Sequence, residues 1–222
     1  MTERAQPTDL ELAALISSKI CHDVIGPVSA INNGLEILDE EDDQQSKDYA
    51  LEVIRNVTET ASARLQFARF AFGAAGSAGA QIDLGNAESL CRGFIGETKD
   101  KNGRAKAGKH RIVWRGPAGA MAKDKVKLLL NLVAAAPTAI PRGGDIEINI
   151  TGSLEAPSFL VRCRGISARP PQYLGDFVNG PQPPIDAMSI QAYYTIRLAA
   201  SCGMRLAIVK DGADMLLMAS PT

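Results

Sequence analysis

Apolar residues that recur every three or four positions through the first seventy residues constrain this chain more than any other feature. Leu12, Ile16, Ile20, Val24, Val28, Ile31, Leu35 and Leu38 keep that step without a break. Such a period lays one apolar stripe along a helix. Thr8-Asp9-Leu10-Glu11 has the form of a capping box, which predicts the helix start and leaves residues 1–8 as a frayed end. Pro27 lies inside the pattern and predicts a kink. The acidic run Asp39-Glu40-Glu41-Asp42-Asp43 ends it and reads as a solvated turn. A second series follows at the same spacing: Ile54, Val57, Ala61, Leu65, Ala68 and Phe72. Two long helices joined by a short turn form an antiparallel hairpin, here residues 9–73. A lone hairpin buries only one stripe, so a homodimer forming a four-helix bundle is the economical completion.

After the hairpin the composition changes. Residues 74–80 are small and read as a linker, and 81–222 read as a second unit. Helices are predicted over 85–97, 123–137 and 190–202. Strands are predicted over 110–115, 145–151 and 159–164, and 204–210 with 214–219 form a closing hairpin about Asp211-Gly212. The Pro- and Gly-rich stretch 167–186 reads as a loop. The fold class is α+β: a helical hairpin followed by an α/β sandwich, one sheet under a helical layer.

Charge and cysteine usage narrow the function classes. The net charge of −1 gives no global basic field for nucleic acid. Lys99, Lys101, Arg104, Lys106, Lys109, His110 and Arg111 form a local basic run. It lacks aromatic stacking partners and reads as a lysine-rich loop entering a strand. No apolar run is long enough to span a bilayer, and the N-terminus has no signal pattern. Cys21, Cys91, Cys163 and Cys202 are widely spaced with no C-x-x-C pair, which fits a reducing cytosol better than a disulfide scaffold or a zinc site. A cytoplasmic protein is expected.

Only two histidines are present, His22 and His110. At about 100° per residue, His22 falls about 160° from the centre of the apolar stripe. It therefore points away from the hairpin core. Ser18, Gly26, Ser29 and Asn33 share that outer face, with Leu15 and Ile25 at its margins. A face of small residues with apolar edges lets another protein approach an exposed imidazole. Geometry alone also allows an ordinary surface histidine.

Cys21-His22-Asp23-Val24-Ile25-Gly26-Pro27 resembles the phosphoacceptor box of sensor histidine kinases: His, an acid, an aliphatic residue, two variable positions, then Pro. Asn131-Leu132-Val133-Ala134-Ala135 looks like the kinase asparagine box, but Ala135 stands where kinases hold Mg²⁺ with asparagine. Val161-Arg162-Cys163-Arg164-Gly165-Ile166-Ser167 aligns with the adenine-binding D-x-G-x-G box, with Cys163 in place of the aspartate and Ser167 in place of the second glycine. The glycine-rich lid motif is missing. Without an oxygen at position 135, Mg²⁺ has no anchor beside a triphosphate. Without an acid at 163, adenine loses its charged partner. Without lid glycines, backbone N–H groups cannot close on phosphate. A kinase-like fold that does not use ATP is expected.

This combination is similar to the ChpT family, the histidine phosphotransferases of alphaproteobacterial cell-cycle phosphorelays. The resemblance implies a homodimer in which His22 is the phosphoacceptor. The donor would be the receiver domain of a hybrid sensor kinase (CckA-like). The acceptors would be response regulators (CtrA-like and CpdR-like), with no direct contact to nucleic acid or membrane. No cofactor would be bound by this chain, and Mg²⁺ would sit on the partner receiver. It gives Asp23 a supporting role, hydrogen-bonded to the imidazole. Adjacent helical residues do not face each other, so that role requires a suitable rotamer; a plain solvated carboxylate is the alternative. Lys19 either offsets phosphate charge or is a solvated lysine. Ser18, Lys19, Gly26, Ser29 and Asn33 would meet the partner. Gly26 stands where kinases with phosphatase activity carry a residue that orients water, so weak direct phosphatase action is expected. An ATP-dependent histidine kinase and a non-catalytic receiver-binding scaffold are the competing readings.

Overall fold

The computed structural model describes residues 6–73, 79–96, 108–180 and 182–222. Helix α1 (Asp9–Glu40) begins as the sequence predicts. The Thr8 hydroxyl accepts the Glu11 N–H at 3.3 Å, and the Glu11 carboxylate accepts the Thr8 N–H at 2.8 Å. The helix continues through Pro27 for 32 residues. Helix α2 (Gln44–Ala71) starts at Asp43, whose carboxylate accepts the N–H groups of Gln45 and Ser46. The Ser46 side chain, and then the N–H groups of Ser46 and Gln45, hold the Asp43 carboxyl below its ordinary range by hydrogen bonding to it.

The two helices approach closely at Gly34, the one buried residue of α1. A Cβ there would lie 2.6 Å from Cγ1 of Ile54. Ile54 is β-branched and stiff in a helix, so it cannot swing aside cheaply. Gly34→Ala should therefore lose about 1–3 kcal/mol to overpacking. Better helix propensity returns about 1 kcal/mol of that. A lower urea midpoint of the full chain is the expected result. Gly26 contrasts with Gly34: a Cβ there would meet nothing within 4 Å.

Five strands form one mixed sheet. In spatial order they are β2 (His110–Arg115), β4 (Gly144–Gly152), β5 (Pro157–Arg164), β7 (Asp214–Pro221) and β6 (Met204–Asp211). β2 runs parallel to β4 and the remaining pairs are antiparallel. Side chains alternate, so Ile146, Ile148, Phe159, Val161, Cys163, Met215 and Leu217 face the core. Helices α4 (Lys123–Ala139) and α6 (Ile190–Ser201) cover that face. On the other face Arg115 and Arg164 pair with Glu147, and Arg162 pairs with Asp211 and Asp214. β6 and β7 turn at Gly212, whose φ of 58° suits glycine.

The structure adds elements that periodicity did not predict. The stretch 167–186 is not all loop: it contains helix α5 (Leu174–Asn179), with Leu174 and Phe177 buried. Six residues are too few for a helical period to register. β1 (Gln81–Asp83) and β3 (Ala120–Ala122) form a two-stranded ribbon, each strand only three residues long. α4 runs to Ala139, two residues past the predicted end, because Pro137 sits in its last turn.

The C-terminal end of α2 belongs to the core of the second half. Phe67 and Ala71 pack into the cluster that holds α3 (Leu84–Phe94) and α4. The Phe67 ring stacks on Phe94 with centroids 4.1 Å apart. Buried Asn131 of α4 donates to the carbonyl of Ala71 at 3.1 Å, and its own side-chain oxygen accepts from Gln191 of α6 at 3.2 Å. Ala71 ends α2, so its carbonyl has no partner within the helix. The hairpin is thereby tied to the sheet domain by a capping bond as well as by packing.

Candidate functional site

His22 lies in the middle of α1 with its side chain 82% exposed. Ser18, Gly26, Ser29 and Asn33 are exposed along the same helix, and Ile25 stands out beside them. Asp23 turns back along the helix so that its Oδ1 lies 3.6 Å from Nδ1 of His22. That distance is too long for a hydrogen bond but puts the carboxylate on the Nδ1 side of the ring. Nε2, across the ring, is left on the side away from Asp23. Lys19, one turn earlier, is ion-paired with the Asp23 carboxylate and is only a quarter exposed. The ammonium is thus committed to Asp23, and the three side chains run in the order Lys19, Asp23, His22.

These residues stand at the rim of a cleft of about 530 Å³ between the hairpin and the sheet domain. Arg64 of α2 joins them on the hairpin side, and His110, Tyr173 and Gln191 line the opposite wall. Arg64 was not singled out by sequence. Its Nη1 donates to the backbone carbonyl of Asp23 at 3.2 Å. The signal was present in Pro27: proline has no N–H, so the carbonyl four residues earlier is left without its helical partner. Nothing in the sequence said which side chain would answer it.

His110, the second histidine, is buried, with Nε2 3.1 Å from the carbonyl of Ile140. Residues 99, 101, 104 and 106 of the basic run lie outside the described residues, and Arg111 pairs with Asp145 at 2.7 Å. Cys21 is an exposed free thiol on α1.

The nucleotide-box positions have different surroundings. Ala135 is buried and lines the inner wall of the cleft with a methyl group. Cys163 is fully buried under the helical layer, and burial pushes its thiol up to about 12. It is a neutral core side chain, not a charged partner. Ser167 holds φ at 61°, the left-handed conformation that a glycine would adopt most easily. Among the described residues no group of three or more His, Cys, Asp or Glu side chains could hold a metal ion. No helix among the described residues is long and apolar enough to cross a membrane.

Residues 101–214 match the family described as histidine phosphotransferase C-terminal domain. The protein phosphotransferase ChpT of Brucella abortus (strain 2308) is 42% identical over 213 residues, covering 95% of this chain and 95% of that protein. The solved structure of a bacterial phosphotransferase superposes with a TM-score of 0.84 at 38% identity, covering 97% of this chain and 98% of the other. With a near full-length relative at that identity, and with the matched domain spanning half of its residues, this chain belongs to the ChpT family of histidine phosphotransferases.

Proposed function

We propose that this chain relays a phosphoryl group through His22. It takes the group from the receiver aspartate of a hybrid histidine kinase of CckA type and passes it to receiver aspartates of response regulators of CtrA and CpdR type. The observation that carries the reading is the arrangement at His22: an exposed imidazole with its Nδ1 side toward a carboxylate and Nε2 away from it. Nε2 attacks phosphorus as the acyl P–O bond of the aspartyl phosphate breaks. The electron pair of that bond leaves with the donor carboxylate. The phosphorylated ring carries a positive charge while Nδ1 keeps its proton, and Asp23 stabilises that charge. Transfer onward reverses these steps at a second receiver. Both transfers depend on positioning and charge neutralisation, with little covalent chemistry for the protein to supply. Metal, where the reaction needs it, sits on the receiver's own carboxylates.

The same reading has the chain act without ATP. Ala135 offers no oxygen to a metal and Cys163 offers a buried neutral thiol where adenine would need an acid. The deciding experiment mixes the purified chain with a labelled, phosphorylated receiver domain. Label should appear on His22 and leave the receiver. With labelled ATP alone the chain should stay unlabelled; self-labelling at His22 would overturn the relay reading in favour of a kinase.

A homodimer through the hairpin is part of the proposal. Among the described residues, Leu10, Val28, Leu35, Ile37, Tyr49, Leu51 and Leu65 are large apolar side chains left exposed on α1 and α2 besides Ile25 of the His22 face. Val28 and Leu35 continue the helical period yet are not covered by α2, which fits a second packing surface. Light scattering should give twice the mass of one chain, and Leu35→Glu should halve it.

A further inference from the structure

Pro27 leaves a gap in the hydrogen-bond ladder of α1 at the turn that follows His22. The missing bond would run from residue 27 to the Asp23 carbonyl. The proline ring also crowds that carbonyl and tilts it outward. A helix without this bond can hinge there. His22 and Asp23 lie on one side of the hinge, and Ser29 and Asn33 lie on the other. Hinging would therefore change the angle between the imidazole and the face that receives a partner.

The gap is bridged from the other helix. Arg64 of α2 reaches across the hairpin, 41 residues away in sequence, and donates Nη1 to the Asp23 carbonyl at 3.2 Å. A charged donor makes a stronger bond than a neutral amide. Lys19, the other cation at the rim, is already paired with the Asp23 side chain, so the two cations hold the two ends of one residue. We infer that Arg64 is a positioning residue for His22, supplying from α2 the hydrogen bond that Pro27 denies to the Asp23 carbonyl. The inference rests on His22 being the phosphoacceptor. It adds that the reactive turn of α1 is set by α2 and not by α1 alone.

The test is a double-mutant cycle on the full chain. Arg64→Met keeps length and removes the donor. Pro27→Ala restores an N–H that can bond the Asp23 carbonyl within the helix. Single-turnover transfer from a phosphorylated hybrid-kinase receiver is measured across receiver concentrations. Misplacement on the order of 1 Å costs about 100-fold in rate. Arg64→Met alone should accordingly slow transfer at saturating receiver by about 10- to 100-fold, with the half-saturating concentration unchanged. In the Pro27→Ala background the same substitution should matter less than about threefold, since the carbonyl then has its own partner.

Hydrogen exchange of α1 gives a readout that needs no chemistry. Arg64→Met should speed exchange around residues 23–30, and Pro27→Ala should cancel that effect. Equal rate losses in both backgrounds would overturn the inference, as would a change confined to receiver affinity or α1 exchange indifferent to Arg64. A wild-type chain that takes no label on His22 would instead defeat the relay reading, while exchange would still report on the clamp.

Discussion

Replacing His22 with alanine is expected to abolish phosphoryl uptake from a receiver, a loss of at least about 10³-fold, while receiver binding is retained. The size of the loss follows from the chemistry. Removing a covalent nucleophile removes the intermediate itself, not one contribution to a transition state. Binding should survive because the imidazole is one group in a face that also includes Ser18, Ile25, Gly26, Ser29 and Asn33. Stability should also survive. The ring is 82% exposed, and exposed substitutions away from caps and networks usually fall within about 0.5 kcal/mol. Label transfer, receiver titration and thermal unfolding on one preparation therefore separate the alternatives. A scaffold would keep supporting signalling as the His22→Ala form, whereas a relay point would bind and stop. Asp23→Asn should act in the same direction but less severely, because the carboxylate lies 3.6 Å from Nδ1 and stabilises charge without forming the new bond.

Long-period features of this chain were legible in the sequence, and short or paired ones were not. The hairpin could be read because 32 and 28 residues give a helical stripe many turns in which to repeat. The capping box and the Asp211-Gly212 turn could be read because each is written in adjacent residues. The small helix α5 and the three-residue strands β1 and β3 hold too few positions to define a period, and they form because the surrounding core receives Leu174, Phe177, Ile82 and Met121. At the site, the exposed face of α1 followed from helix geometry. The order Lys19, Asp23, His22 did not, since it depends on rotamers. Arg64 was out of reach for another reason. A missing hydrogen bond can be located from Pro27, but the donor comes from a different helix, and only the tertiary packing selects it.

Phe67→Ala should be the most destabilising single substitution in the hairpin, costing about 3–5 kcal/mol. Phe67 is 2% exposed and stacks on Phe94, and it sits where α2 enters the core shared with α3 and α4. Truncation removes the aromatic surface, and the site cannot collapse because three helices frame it. For a chain of this length such a loss corresponds to a fall in melting temperature on the order of 10 °C. The pattern of unfolding is as informative as its size. If hairpin and sheet domain folded independently, the loss would appear in only one of two transitions. The structure argues for one transition, because the Ala71 carbonyl that ends α2 is capped by Asn131, which is itself held by Gln191 of α6. Asn131→Leu strands the buried Ala71 carbonyl, while Gln191 keeps its bonds to the backbone carbonyl of residue 131 and the Thr195 hydroxyl, and should cost roughly 1–3 kcal/mol. Calorimetry of both variants should show a single transition moved downward. Since the hairpin carries His22 and the sheet domain lines the facing wall of the cleft, loosening this joint should also slow transfer from a receiver that touches both.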